Sequence, residues 1–202
     1  MPVPAVPYPE MLAAAKTSGE DIATFLREDL PYCWKDRYLL MSDRPSEVVV
    51  FTYETFDYLF DIYQQKELHD PASDKPPIEA RLVAAIGTSK PKRTKRDDGR
   101  LRGLAVSAMP GSDSKWDRGH FIAHSIGGTV DGNEANVFPQ LRSVNRGRYR
   151  TMENYCRKNA GVTCFSRPIY SDTSAHPSQI EFGVLKTNGE LWVEVLPNRP
   201  DA

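Results

Sequence analysis

The sequence predicts an α+β fold in which a central mixed, largely antiparallel sheet is flanked by helices. Three observations indicate it: residues 9–30 have a helical composition, residues 116–159 follow the order strand, loop, strand and helix, and the C-terminal stretch has the pattern of a β-hairpin. With 202 residues, 40% of them hydrophobic, the chain is long and apolar enough for about one compact domain.

The N-terminal stretch combines a proline-rich arm with helical sequence. Residues 1–9 contain four prolines and predict an extended segment, and residues 9–30 (PEMLAAAKTSGEDIATFLREDL) predict two helices separated near Ser18-Gly19, with Ser18 as a cap. No window approaches the run of about 18 apolar residues that a membrane helix needs, and no basic start of a secretory signal is present. We therefore expect no membrane span and no signal peptide, and a protein that is cytoplasmic or exported by a signal-independent route.

The next stretch, residues 47–63, is β-branched at first and then aromatic. Phe56, Leu59, Phe60 and Tyr63 recur at helical spacing, which predicts a strand followed by a short helix. Residues 68–80 and 88–103 are rich in loop-forming residues, and the second of these loops is basic. Near the C-terminus two β-rich runs flank Asn188-Gly189, the residue pair that a type I′ hairpin turn favours.

Charge is distributed unevenly along the chain. Residues 1–80 carry 7 Lys/Arg against 15 Asp/Glu, residues 81–150 carry 14 against 6, and the formal net charge of the whole chain is only -1. The basic middle indicates a surface for a polyanion, although a solvated basic loop would have the same composition. We expect the acidic residues 1–80 to pack on or regulate a core formed by residues 81–202, as a docking segment or as a cover over the basic surface.

The segment most informative about function is residues 115–159. Its DRGH tetrapeptide, residues 117–120, leads into an apolar run, which places His120 on a strand. Residues 136–140 (NVFPQ) predict a second short strand, and a helix is predicted from residue 143 to about residue 159. This order places Asn145 in the first turn of that helix.

These residues resemble the DNA/RNA non-specific endonuclease family, whose ββα-metal (His-Me finger) site is marked by a DRGH motif. The likeness covers roughly residues 85–170. After DRGH it includes the N-x-x-P-Q pattern at residues 136–140, a helix-initial Asn145, Glu153 eight residues later and Arg157 four beyond that. The resemblance implies a ββα-metal finger at the active site and hydrolysis of DNA and RNA that leaves 5′-phosphate ends.

The chemistry of phosphodiester hydrolysis explains these residue types. His120 is the expected general base, because imidazole titrates near neutral pH. Mg²⁺ keeps most of its waters, so one side-chain oxygen from Asn145 is enough to hold it, and Mn²⁺ or another divalent cation is expected to substitute. Arg118 is expected to clamp the charge on the phosphate, since a guanidinium does so bidentately. We take Asp117 as structural.

The resemblance assigns further roles along the helix. Glu153 would hold metal-bound waters, with Arg157 stacked over it, although the two would also suit an ordinary i,i+4 ion pair. Asn136 is either catalytic or a turn residue. Three more arginines are expected to contact phosphates if the chain is a nuclease: Arg146, Arg148 and Arg150.

The favoured function is thus a metal-dependent, sugar-non-specific endonuclease. The alternatives are a catalytically idle nucleic-acid-binding module on the same fold, and an enzyme for one defined nucleic-acid structure. Because a free non-specific nuclease would damage its own cell, we expect a toxin or effector whose partners are DNA, RNA and an inhibitor or immunity protein. The sequence leaves open the oligomeric state and whether Cys156 and Cys164 form a disulfide. Because no secretion signal is visible, two free thiols are favoured.

Overall fold

A computed structural model of the chain describes residues 6–42, 44–65, 78–92, 115–129 and 134–199. The basic loop predicted over residues 88–103 is described only as far as residue 92. The loop predicted over residues 68–80 is described only from residue 78. The rest of both loops lies outside the described residues. None of the described helices is long and apolar enough to cross a membrane.

The N-terminal part is helical, as predicted, but its second helical stretch extends to Met41, beyond the predicted end at residue 30. The segments are α1 (Tyr8–Ser18), α2 (Ile22–Thr24), a π-helical turn (Phe25–Asp29) and α3 (Leu30–Met41). The break near Ser18-Gly19 is confirmed, because Gly19 has a φ of 80°, in the left-handed region that ends helices. The predicted cap is wrong: Asp21, not Ser18, caps the second stretch by accepting a 3.0 Å hydrogen bond from the Thr24 N–H.

The strands form one large and one small sheet. In chain order they are β1 (Val48–Tyr53), β2 (Phe56–Asp61), β3 (Arg81–Thr88), β4 (Trp116–His120), β5 (Val137–Leu141), β6 (Thr163–Ile169), β7 (Gln179–Leu185) and β8 (Leu191–Pro197). The large sheet has six strands in the order β1-β2-β3-β6-β7-β8, and all of these neighbours are antiparallel. The α+β class is confirmed, with a sheet whose described pairings are antiparallel throughout rather than mixed.

The short helix predicted after β1 is wrong. Residues 56–61 form β2, which pairs with β1 as a hairpin through a turn where Glu54 has a φ of 52°. A register shift between Leu59 and Phe60 leaves Tyr58 and Leu59 both buried. This bulge breaks the strict alternation of a strand, and it explains why the aromatic spacing looked helical.

The C-terminal hairpin is confirmed, but its turn is not type I′. Leu185 pairs with Leu191, and Lys186 donates a further 2.8 Å backbone hydrogen bond to Glu190. Gly189 has a φ of 82°, whereas Asn188 is not among the described residues with positive φ, which a type I′ turn requires at both central positions. The hairpin therefore closes through a three-residue loop with glycine in its left-handed position.

The two faces of the large sheet bury two separate cores. On one face Trp34, Leu26 and Leu30 of the N-terminal helices pack against Ile86 and Phe165. The opposite face contributes a second cluster with members from the small sheet and the helix that follows it, including Tyr58, Leu82, Phe182, Phe121, Phe138 and Met152. The helices α1–α3 thus lie on the other side of the sheet from β4 and β5, and they do not cover the small sheet.

The small sheet and the next helix form the ββα unit that the resemblance implies. β4 and β5 pair in antiparallel register, with Asp117 opposite Gln140 and His120 opposite Val137. The chain then forms α4 (Arg142–Val144), a π-helical turn (Asn145–Tyr149) and α5 (Arg150–Lys158), which together we call the site helix. The predicted order of strand, loop, strand and helix is confirmed, with His120 on β4 and Asn145 near the start of the helix.

The site helix is irregular at its functional end. Gly147, within the π-helical turn, has φ and ψ of -102° and -112°, outside the helical region. Glycine has the conformational freedom for such a break, and single π-helical turns occur often at functional sites. The break lies between Asn145 and Glu153, the two helix residues to which the resemblance gives a role at the metal.

Candidate active site

His120 and Arg118 lie on the same side of β4, because side chains alternate along a strand. His120 is the last residue of the strand and is only 7% exposed. Arg118 is half-buried, and its Nε atom is buried without a hydrogen-bond partner among the described residues. A buried guanidinium nitrogen with no partner is costly, which is expected where an anion binds.

Gly119, on the other side of β4, is fixed by its neighbour on β5. A Cβ atom at residue 119 would lie 2.2 Å from Oε1 and 2.5 Å from Cβ of Gln140. Gln140 is completely buried, and neither polar atom of its amide has a hydrogen-bond partner in the described part of the chain. The glycine of the DRGH motif therefore allows the Gln140 side chain to lie directly across the strand.

Replacing this glycine is expected to disturb the finger. Gly119→Ala should lower the free energy of unfolding by about 1–3 kcal/mol, because the added methyl group overlaps the side chain of the completely buried Gln140. Thermal unfolding measures this change. A variant that melts at the wild-type temperature would show that the close packing of Gly119 against Gln140 does not exist in solution.

Asp117 connects β4 to the start of the site helix. Its Oδ2 accepts hydrogen bonds from Asn145 Nδ2 at 3.1 Å and from Arg146 Nε at 2.9 Å. Its Oδ1 accepts from Arg142 Nε at 3.1 Å and from Arg146 Nη2 at 3.0 Å. Burial alone would raise the pKa of this carboxyl, but the hydrogen bonds from Arg146, Asn145 and Arg142 lower it below its usual value. Asp117 is therefore an ionised group whose described side-chain partners all lie on the site helix.

Tyr149 makes a second connection between the helix and the strand. Its hydroxyl donates a 2.6 Å hydrogen bond to the backbone oxygen of Phe121, the residue directly after His120, and lies 3.2 Å from the Ser166 hydroxyl. The ring is fully buried and packs edge-on against Phe182 of the large sheet. Tyr149 thus fixes the backbone next to His120 against both the helix and the sheet.

Glu153 follows Tyr149 by one helical turn and has an unusual environment. Burial raises the pKa of its carboxyl to about 8, and the positive charge of Arg150 opposes this only partly. The Glu153 charge also contributes to the raised pKa values of buried Tyr149 and Cys164, which shows that it is near both. In the described ranges Glu153 has no ion pair, so a half-buried acid lies on the site helix without an ion-pair partner among these residues.

A sequence comparison settles the family. The model of the DNA/RNA non-specific endonucleases matches residues 77–188, which is more than half of the 202 residues and contains the whole ββα unit. The chain belongs to the DNA/RNA non-specific endonuclease family. The predicted enzyme class, a hydrolase that cleaves phosphodiester bonds within nucleic acids, is the class of this family.

Individual relatives are more distant. Over 86 residues the chain is 29% identical to the probable deoxyribonuclease RhsA of Dickeya dadantii (strain 3937), and the match covers 41% of this chain but 6% of that protein. Two solved structures are similar at lower sequence identity. An extracellular endonuclease is 15% identical over 79% of this chain and 81% of that chain, with a TM-score of 0.36. The Sda1 nuclease with bound zinc ion is 14% identical over 80% of each chain, with a TM-score of 0.38.

Within this endonuclease unit, Asn136 is completely buried and its amide is fully used by the backbone. Its Oδ1 accepts from the Ile122 N–H at 2.9 Å, and its Nδ2 donates to the Ile122 and Thr129 carbonyl oxygens at 2.8 and 2.7 Å. These bonds fasten the loop that follows His120. Asn136, which the resemblance left as either catalytic or structural, is therefore better suited to holding this loop than to contacting substrate.

Arg157 lies at the exposed end of the site helix. It donates a 3.2 Å hydrogen bond to Asn154 Oδ1, and the cation whose charge acts on Glu153 is Arg150 instead. The expected stacking of Arg157 over Glu153 is therefore not among the described contacts. Arg157 is an exposed cation.

The three arginines expected to bind phosphate have different surroundings. Arg146 is paired with Asp117, and Arg148 pairs with Glu194 and lies 5.3 Å from the centre of the Trp192 ring. Arg150 is exposed and has no carboxylate partner within ion-pair distance in the described ranges. Of the three, Arg150 is the one whose charge is most available to a phosphate.

The residues of this candidate site fit a hydrated divalent cation. Nδ2 of Asn145 is bound to Asp117, so its carbonyl oxygen is turned away from that carboxylate and can accept a cation. The half-buried Glu153 carboxyl has no ion-pair partner among the described residues, and a nearby cation would supply one. No group of three His, Cys, Asp or Glu side chains in the described part of the chain is arranged to hold a metal, and magnesium bound mainly through water does not need one.

The sequence did not reveal two connecting residues. Asp117 was assigned a structural role without its partner Asn145, and Tyr149 was not assigned a role. Both partners lie 28 residues away along the chain, so only the folded finger brings them together. The question of Cys156 and Cys164 is answered by the structure, in which both are buried free thiols, and the hydrogen bond that the Cys164 thiol makes to Cys156, together with burial, raises the pKa of Cys164.

Proposed function

We propose that the chain is a metal-dependent endonuclease that hydrolyses phosphodiester bonds in both DNA and RNA. The single observation that carries the proposal is the joining of β4 to the site helix. Asp117 and Tyr149 connect the strand that bears Arg118 and His120 to the helix that bears Asn145 and Glu153. The residues that the family chemistry needs thus lie in one fixed unit, with the described helices α1–α3 on the other side of the sheet.

His120 is the general base of this proposal. Imidazole is the side chain best suited to exchange a proton near neutral pH, so His120 can take a proton from the attacking water. Its position at the end of β4, beside a backbone fastened by Tyr149 and Asn136, limits the orientations available to the ring. Such orientation reduces the entropy that the proton transfer has to overcome.

Asn145 and Glu153 form the proposed cation site. Asn145 would bind the cation through its carbonyl oxygen, and Glu153 would accept hydrogen bonds from the waters around it. When bound, magnesium neutralises charge on the scissile phosphate and on the departing oxygen. Mn²⁺ or another divalent cation is expected to replace it, since both ligand types are oxygens.

Arg118 is the proposed phosphate clamp. Its half-buried guanidinium has an Nε without a hydrogen-bond partner in the described part of the chain, and it lies on the same side of β4 as His120. Together with the exposed Arg150 and Arg157, it offers cations that contact the backbone and read no base. Broad action on DNA and RNA follows, and by family resemblance the products carry 5′-phosphate ends.

Cleavage assays test the proposal directly. Purified protein should degrade single-stranded RNA and plasmid DNA when Mg²⁺ or Mn²⁺ is present, and EDTA should stop both reactions. Treatment of the products with a phosphatase that removes 5′-phosphates, followed by end-labelling, identifies the new ends. Activity on one polymer alone would support the enzyme specific for a defined nucleic-acid structure, and binding without cleavage under every divalent cation would support the idle binding module.

We further propose that the nuclease acts as a toxin or effector with an inhibitor or immunity protein as partner. The proposal is supported by the harm that unrestricted cleavage of DNA and RNA would do to the producing cell. Induced expression in a bacterial cytoplasm should arrest growth, and His120→Ala should not. Normal growth with soluble, active enzyme in the cell would overturn the toxin proposal and leave the nuclease proposal intact.

A further inference from the structure

Asn145 has a side-chain amide whose two ends differ chemically. The NH₂ end only donates hydrogen bonds and the carbonyl oxygen only accepts them, so the orientation of the amide decides which atom faces a cation. A cation binds the oxygen and is repelled by the NH₂ end. A residue that fixes this orientation therefore prepares the site before the metal arrives.

Asp117 is in contact with the NH₂ end. Its ionised carboxylate accepts hydrogen bonds only, and it lies 3.1 Å from Asn145 Nδ2. The reversed amide would place two oxygens against each other at that distance. The observed contact therefore favours the single orientation in which the carbonyl oxygen of Asn145 is directed away from the Asp117 carboxylate.

The carboxylate is itself held in place by two arginines. Arg142 and Arg146 donate three hydrogen bonds to it, at 2.9 to 3.1 Å, and its side chain is 15% exposed. With the bond from Asn145, each of its oxygens accepts two donors. Both oxygens are thus occupied, which argues against Asp117 as a direct metal ligand.

We propose that Asp117 is a positioning residue of the metal site, which orients the Asn145 amide so that its carbonyl oxygen faces the divalent cation. This inference rests on the proposed function, because it takes Asn145 as the metal ligand. It gives the first residue of the DRGH motif a chemical role distinct from those of Arg118 and His120. It also explains why the Asp117 carboxylate of β4 contacts the start of the site helix, where Arg142 and Arg146 lie.

The test is the affinity of the metal-free protein for Mn²⁺, measured by titration calorimetry and by the EPR signal of free Mn²⁺. Asp117→Asn replaces one oxygen by an NH₂ group, which faces either the arginines or the NH₂ of Asn145. Because both arrangements are unfavourable, the Mn²⁺ affinity should fall about 10- to 100-fold, as for other residues that orient a metal ligand. With DNA as substrate, kcat should fall and KM should change little.

Two further variants separate positioning from general damage. Arg142→Gln removes one hydrogen bond to Asp117 but leaves the contact between Asp117 and Asn145 in place. The Mn²⁺ affinity should therefore stay within about twofold of wild type. The reciprocal variant, Asp117→Asn with Asn145→Asp, restores a donor opposite an acceptor and should recover Mn²⁺ affinity relative to Asp117→Asn alone. A purely structural role for Asp117 would not be rescued by this exchange.

The outcomes distinguish this inference from the proposed function. If Asn145→Ala leaves Mn²⁺ affinity at the wild-type value, Asn145 is not the ligand and the proposed metal site fails. If Asn145→Ala abolishes Mn²⁺ binding while a folded Asp117→Asn protein binds as tightly as wild type, the positioning role alone is overturned. Loss in both single variants and recovery in the reciprocal variant would support both.

Discussion

Replacing His120 with alanine is expected to lower the rate of cleavage of DNA and RNA by a factor of about 10²–10⁴, the contribution of a positioned general base. Binding of nucleic acid should persist, because the arginines that would contact phosphate are unchanged. The fold should also persist, since His120 is the last residue of β4 and the strand is held at Asp117 and at Phe121. Single-turnover cleavage with saturating enzyme measures the loss in the chemical step alone.

Rescue by a small base provides the matched control for this variant. Added imidazole should restore part of the activity of His120→Ala and have little effect on wild type, because the missing group would be supplied from solution. The restored rate should rise with pH as free imidazole loses its proton, near its ordinary pKa. Residual activity close to that of wild type in the absence of imidazole would contradict the role of His120 as base.

Glu153→Gln is expected to make the metal-free protein more stable and the enzyme slower. The folded carboxyl keeps its proton up to a pKa of about 8, whereas in the unfolded chain it ionises near its ordinary value of 4.5. Glutamine cannot ionise, so the free-energy cost of taking up a proton on folding disappears. Activity should fall about 10- to 100-fold, as it does when groups that orient metal-bound waters are removed.

The pH dependence of stability follows from the same difference. Between about pH 4.5 and pH 8 the folded state holds a proton that the unfolded state has released, so the free energy of unfolding decreases as pH rises across this range. For a partly exposed group the total change is on the order of 2 kcal/mol. Denaturant unfolding at several pH values, with EDTA present, measures it. Mg²⁺ should reduce the slope, because the cation favours the ionised carboxylate.

Glu190→Gln is the matched control for Glu153→Gln. Glu190 is an exposed carboxylate near the β7–β8 turn, and its hydrogen bond with Lys186 lowers its pKa. Its replacement removes the same charge from the chain but should leave cleavage unchanged and should not reproduce the stabilisation at pH 8. An equal stabilisation by both variants would show that net charge, not the environment of Glu153, causes the effect.

Local patterns in the sequence were enough to predict the parts of the fold that depend on short-range structure. The break at Gly19, the C-terminal hairpin and the ββα order each follow from neighbouring residues. The hairpin formed by β1 and β2 was missed because the bulge near Phe60 depends on pairing with β3, a strand some twenty residues away. The packing of α1–α3 on the far face of the sheet is likewise a tertiary property.

The candidate site was predicted as a set of residue types rather than as a network. The motif located His120, Asn145 and Glu153, because their spacing follows the family pattern. The motif did not show that Asn136 is fully bonded to the backbone or that Arg157 is bonded to Asn154. Such contacts depend on which side chains meet after folding, and spacing along the chain does not determine them.

The most direct test of the central claim uses covalently closed circular plasmid DNA, which has no ends and is opened only by an endonuclease. Wild type and His120→Ala are compared side by side, each with Mg²⁺ and with EDTA. The account predicts nicked and linear DNA from wild type with Mg²⁺ and almost none from the other three reactions. Equal cleavage by wild type and His120→Ala, or undiminished cleavage by wild type in EDTA, would contradict it.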